Sequence, residues 1–173
     1  MQRTKMILLT TAAVLGGGTF ALAKLPSWDT VKPPQARFRV LPAMNDEAVL
    51  DKETGLVWER TWHGSATFRS ALRLCGLETT GGRAGWRLPS VEELTSLIDP
   101  AETTPALPEG HPFENVTLGN FYWSANEDEA DSSSAVTVNF DVFDLSTHSK
   151  GNTRPFVCVR GGRGSTTGAR GGF

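Results

Sequence analysis

Cys75 and Cys158 are the only two thiols in this 173-residue chain, and both fall in segments that read as core elements. Whether they pair depends on the compartment, and the first 23 residues indicate it. MQRTK is a short positive start, MILLTTAAVLGGGTFALA an apolar stretch, and Ala21-Leu22-Ala23 a small-x-small ending, the pattern of a secretory signal peptide cleaved after Ala23. Gly16-Gly17-Gly18 and Thr10-Thr11 make this stretch a poor permanent span, so no stable membrane span is expected after removal. The expected location is periplasmic or extracellular, reached through the general pathway. Thiols oxidise there, and a Cys75–Cys158 disulfide is expected. In the chain-entropy model such a bridge contributes on the order of 4–5 kcal/mol, and ~2–4 kcal/mol is more usual in measurement. A reactive thiol would need a thiolate-stabilising neighbour, and neither cysteine has an adjacent His or a Cys-x-x-Cys partner.

Residues 24–36 hold three prolines and no hydrophobic period, so they read as an extended leader. The domain is placed at 37–160. Residues 161–173 carry six glycines in 13 positions and read as a flexible tail. Within the domain, Ala48–Asp51 and Leu56–Arg60 flank Lys52-Glu53-Thr54-Gly55 and predict a hairpin. In Ser65–Gly76 the apolar positions Phe68, Ala71, Leu72 and Cys75 follow i, i+3, i+4, i+7, a helix with Cys75 inward. Ser90-x-x-Glu93 is a capping box that opens a second helix, with Leu94, Leu97 and Ile98 on one stripe and a stop at Asp99-Pro100. Ala101–Gly119 has three prolines and no period, a long loop that the domain must tie down or leave mobile. Strands return at Phe121–Trp123, at Val136–Phe140, around Phe143–Leu145, and at Phe156–Arg160. In the last of these, Phe156 and Cys158 face one way and Val157 and Val159 the other. The class is α+β: short, mostly antiparallel strands with two helices packed to one side.

Five blocks, taken in order, resemble one family. They are Asp51-x-x-Thr54-Gly55-Leu56-Val57-Trp58, Ala71-x-x-x-Cys75, Gly85-Trp86-Arg87-Leu88-Pro89-Ser90-x-x-Glu93-Leu94, Tyr122-Trp123-Ser124 and Val157-Cys158-Val159-Arg160. The family is the Lcl C-terminal domain, named for a bacterial collagen-like adhesin, and the resemblance covers roughly 47–160. It implies an exported bacterial module with a C-type-lectin-like fold related to the formylglycine-generating group. In the namesake the domain serves surface attachment and binds sulfated polysaccharide. This chain has no collagen repeat.

Its formal charge is -2, and taking Arg3 and Lys5 from the 17 basic residues leaves 15 against 19 acidic, or -4. That balance provides no basic field for nucleic acid, and no general attraction for sulfated sugars. The candidate ligand-binding residues are Trp62, Arg87, Trp123 and Asn126. Trp62 falls outside the alternation that takes Trp58 inward, so it is expected at the domain rim, where an exposed indole would mark a binding surface. Arg87 could offer a guanidinium to a sugar or carboxylate, although a structural bond to backbone or to a carboxylate is the stronger reading. Trp123 has the same two readings.

The cluster Glu127-Asp128-Glu129-x-Asp131 lacks the order of a calcium loop, and reads as a solvated acidic loop. His63, His111 and His148 lack metal-ligand spacing, so no zinc and no cofactor are expected. There is no Gly-x-Ser-x-Gly elbow. The function expected is therefore an exported, noncatalytic recognition or adhesion module for a polysaccharide or a cell-surface protein, acting through loops of 101–135. The alternatives are an enzyme related to the formylglycine-generating group and a purely structural envelope component.

Overall fold

Short runs of alternating residues joined by turns build three small sheets, seen in a computed structural model that describes residues 34–99, 102, 106–141 and 144–162. All of these belong to one compact unit, Lys32–Phe173. The signal segment, the leader up to Pro33, Phe143 and the tail from Arg163 lie outside the described residues.

A one-turn helix α1 (Pro34–Arg37) leads into β1 (Phe38–Val40), which pairs antiparallel with β2 (Ala48–Asp51). The predicted hairpin follows, β2 against β3 (Val57–Glu59), with Gly55 at φ 74° in its turn. Asp51 anchors this corner. Its carboxylate is buried, accepts two bonds from Arg37 at 3.1 and 2.8 Å, and also takes the Glu53 N–H and the Thr54 hydroxyl. Burial alone would raise the Asp51 pKa, but Arg37 and these donors hold it below the ordinary value. The first sheet is completed by β5 (Trp86–Arg87) and β10 (Val159–Arg160), in the order β1-β2-β3-β10-β5, antiparallel throughout.

A second sheet pairs β4 (His63–Thr67) with β9 (Thr153–Phe156), and a third runs β6 (Phe121–Glu127), β7 (Ser134–Asn139), β8 (Asp144–Ser149). Helix α2 (Phe68–Leu77) starts three residues later than its periodicity predicts, because His63–Thr67 is taken up in pairing with β9. Cross-strand hydrogen bonds there override a local helical period. Helix α3 (Val91–Ser96) has the predicted capping box, and ends three residues before Asp99. Mixed α+β architecture with mostly antiparallel strands is therefore the fold class.

Apolar side chains separate into two clusters. One gathers Val49, Trp58, Trp62, Leu94, Tyr122, Val157 and Val159 among others. The other gathers Phe68, Ala71, Cys75, Trp86, Trp123, Phe156 and Cys158. Phe156–Arg160 runs along both, and its alternation deals side chains to each cluster in turn. Cys75 of α2 is bonded to Cys158 just before β10, with Cα atoms 5.4 Å apart, so the helix is fastened to the segment that joins the second sheet to the first. The loop before β6 is tied down where it is described. Leu107 and Phe113 are buried, the Trp62 N–H donates to the Glu114 carbonyl, and Arg60 pairs with Glu114 at 2.8 Å.

Candidate functional site: an acidic concavity beside the disulfide

A concavity of about 520 Å³ is lined by Glu47, Glu59, Thr61, Trp62, His63, Glu78, Thr79 and Thr80. Each wall has a local cause. Glu59 closes β3 and is only 2% exposed, a charge that burial permits because its oxygens are used. The Cys158 N–H donates to Glu59 Oε2 at 2.9 Å, His63 Nε2 lies 2.8 Å from the same oxygen, and the Thr80 hydroxyl is 3.0 Å from Oε1. His63 opens β4, with its ring stacked on Phe156 at 4.6 Å.

Glu78, at the C-cap of α2, accepts the N–H groups of Thr79 and Thr80 and lies 4.0 Å from His63 Nε2. Thr80 starts a single 3-10 turn, which Trp86 holds by donating its Nε1 to the carbonyls of Arg83 and Thr80. Within that turn Gly81 sits at φ 64° and donates its N–H to Glu47 at 2.7 Å. A Cβ on Gly81 would come within 2.5 Å of the Met44 Cβ, so the turn admits only glycine.

Electrostatics follow from two carboxylates, Glu59 and Glu78, beside one imidazole. Hydrogen bonding to Glu59 raises the His63 pKa above its ordinary 6.5; burial opposes this, and the charges of Glu59 and Glu78 reinforce it. Burial would raise the Glu78 pKa, but the Thr80 hydroxyl, the two N–H groups and His63 keep it low. A second concavity, also about 520 Å³, shares Trp62 and His63 with the first and continues along Gly64, Asn115, Val116, Thr117 and Leu118. Its outer wall is pinned by Tyr122, whose hydroxyl accepts from the Thr117 N–H at 2.6 Å. The two adjoin at Trp62 and His63 as one groove, acidic at one end and mixed at the other, where Asn115 and Thr117 alternate with Val116 and Leu118.

The residues singled out by sequence do not converge. Trp62 is 2% exposed and packs its ring against Phe113, Tyr122 and Phe140, which corrects the expectation of a rim position. Its side chain completes an aromatic cluster that the loop around Phe113 closes over, a long-range contact invisible to strand alternation. Trp123 is fully buried in the other cluster and donates Nε1 to the Ala66 carbonyl at 2.8 Å. Both indoles are core residues, Trp62 bordering the two concavities from beneath and Trp123 away from them.

Arg87 forms a two-pronged pair with Glu93 at 2.6 and 2.7 Å and also donates to the Gly161 carbonyl. Asn126 accepts the Val91 N–H at 2.9 Å and so anchors the start of α3. In the acidic cluster, Asp128 and Asp131 accept from Ala130, Ser133 and Ser134 inside the β6–β7 hairpin, and Glu127 pairs with Lys150. Glu59, Glu78 and Thr80 were missed, and His63 was weighed only as a zinc ligand and set aside. The available signal was a glutamate inside a strand otherwise reading inward, four residues before a histidine.

Both sulfurs are in the bond, and no helix among the described residues is long and apolar enough to cross a membrane. A comparison with curated proteins finds no match. The family model of the Lcl C-terminal domain matches residues 47–160, from the glutamate on the groove wall to the end of β10. Strands β2 to β10, both longer helices, the disulfide and the acidic groove all fall within that span, and the chain belongs to the Lcl C-terminal domain family, which points to a surface or adhesin-associated domain.

Proposed function

We propose that this protein is an exported, noncatalytic recognition module that binds a hydroxyl-rich surface, a polysaccharide first and a protein second, in the groove between Glu47 and Leu118. The observation that carries the reading is the pair of concavities sharing Trp62 and His63. Carboxylates and threonine hydroxyls converge there, and paired acceptors of this kind suit vicinal hydroxyl groups. Among the described residues the exposed large apolar side chains are all leucines, so the reading rests on hydrogen bonds and shape rather than on ring stacking. The acidic end favours neutral or basic glycans over sulfated ones. Relative to the sequence expectation, the surface moves from the whole of 101–135 to 115–118 together with 59–63 and 78–80.

A C-type-lectin-like arrangement belongs to this reading. It draws support from the two helices, the short antiparallel sheets, and a disulfide from the first long helix to the segment before the terminal strand. A thiol oxidase of the formylglycine-generating kind is disfavoured because both sulfurs are engaged. The test is a glycan array with neutral and sulfated oligosaccharides, followed by titration of the best ligand. Thr61→Arg and Leu118→Asp, both at exposed groove positions, are expected to weaken binding tenfold or more, while Arg73→Ala on the exposed side of α2 leaves it unchanged. Equal binding by all three variants would reject the groove. Absence of any glycan binding would favour an envelope component.

A further inference from the structure

We infer that this chain holds a latent site for a borderline divalent metal, zinc or cobalt, formed by Glu59, His63 and Cys158, which the disulfide masks and reduction uncovers. One ligand atom of each of the three residues lies within 4.8 Å of the other two. Glu59 and His63 already meet at 2.8 Å, and the Cys158 backbone N–H holds the carboxylate in place at 2.9 Å. A carboxylate oxygen, an imidazole nitrogen and a thiolate are a donor set that zinc accepts.

Tetrahedral zinc with bonds of about 2.0–2.3 Å keeps its ligand atoms about 3.3–3.6 Å apart. The carboxylate and imidazole would therefore part by about half an ångström, and Sγ would swing inward once released from Cys75. Three protein ligands leave a fourth position for water, and Glu78, 4.0 Å from His63 Nε2, adds a further negative charge beside the site. The acidic concavity, walled by Glu59 and His63, is the entry path.

In the bonded state the sulfur has no thiolate to give, so the dyad remains a hydrogen-bonded pair. A thiol reductant supplies two electrons and two protons to the disulfide and leaves as its own disulfide. Cys158 then gives up its proton to solvent as the sulfur–metal bond forms. The metal would tie β3 and β4 to the segment before β10 and leave α2 untethered, a different connection from the one the disulfide makes. The inference is independent of what the groove binds.

Cys75→Ala isolates the site without reductant. The full chain carrying it is expected to bind one zinc, and with cobalt to give a near-ultraviolet thiolate-to-metal band. His63→Ala in that background is expected to lower affinity about tenfold or more, and oxidised wild type to show no band. Should Cys75→Ala not fold, Cys75→Val serves with the same cobalt band, or reduced wild type, read by zinc protection of Cys158, and not of Cys75, from maleimide. A folded protein with a free Cys158 that shows neither the cobalt band nor the protection overturns the inference, as does a band unchanged by His63→Ala.

Discussion

His63 stands between a ring and an acid, stacked on Phe156 and hydrogen-bonded to Glu59, and that position makes the protein's stability depend on pH. Its pKa is raised in the folded state, chiefly by Glu59, so the protonated form is the one the fold favours. The stabilisation is fully present below the unfolded value near 6.5 and is lost as pH rises through the folded value above it. The difference in urea midpoint between wild type and His63→Gln is expected to shrink from pH 6 to pH 9; a constant difference would contradict the pairing. By NMR, His63 should titrate above 6.5, while burial places His111 and His148 below it. These residues also show why the site was hard to read. Tryptophans stand out in a sequence because they are rare and large, yet for the same reason they are buried. Glu59, by contrast, has no periodic signature, and its partners come from positions 63, 80 and 158, which only the folded chain assembles.

Helix α3 was legible because its signal is local: Ser90 Oγ accepts from the Glu93 N–H, and Glu93 accepts in return from the Ser90 N–H at 2.9 Å. What the sequence could only suggest is that Arg87 grips the same carboxylate from β5. Burial would raise the Glu93 pKa, but Arg87 and the Ser90 N–H keep it low. Ser90→Ala is expected to cost about 1 kcal/mol of unfolding free energy. Glu93→Ala should cost more, since it strips the cap and leaves a partly buried guanidinium without its acid. Urea midpoints at unchanged slope measure both, and equal losses would show that Arg87 contributes nothing through Glu93. Helix α2 was placed less well: Phe68, Ala71 and Cys75 of its expected inward stripe are buried, but Leu72 is exposed and the first turn is wrong. Strand β4 contains no β-branched residue before Thr67, and it exists because β9 pairs with it. The two-residue β5 was below what alternation can detect.

At the level of the molecule, the disulfide spans 83 residues and ties α2 to the seam between two sheets. Its loss is expected to cost about 2–4 kcal/mol, seen as a lower urea midpoint in reduced than in oxidised protein. An unchanged midpoint would mean that packing alone holds the seam. Sequence reasoning reached this tie and the α+β class, because paired cysteines and short alternating runs are global signals that survive without contacts. It did not reach the division of the core into two clusters, or how the long loop closes over Trp62. The division has a consequence in the spacing of Phe156, Val157, Cys158 and Val159, which send their side chains alternately to the two clusters. Here the chain keeps parity. One residue inserted or deleted within this run would hand each interior the other's cargo and turn the sulfur away from Cys75, so length can change freely at the hairpin tips but at this crossing only in twos.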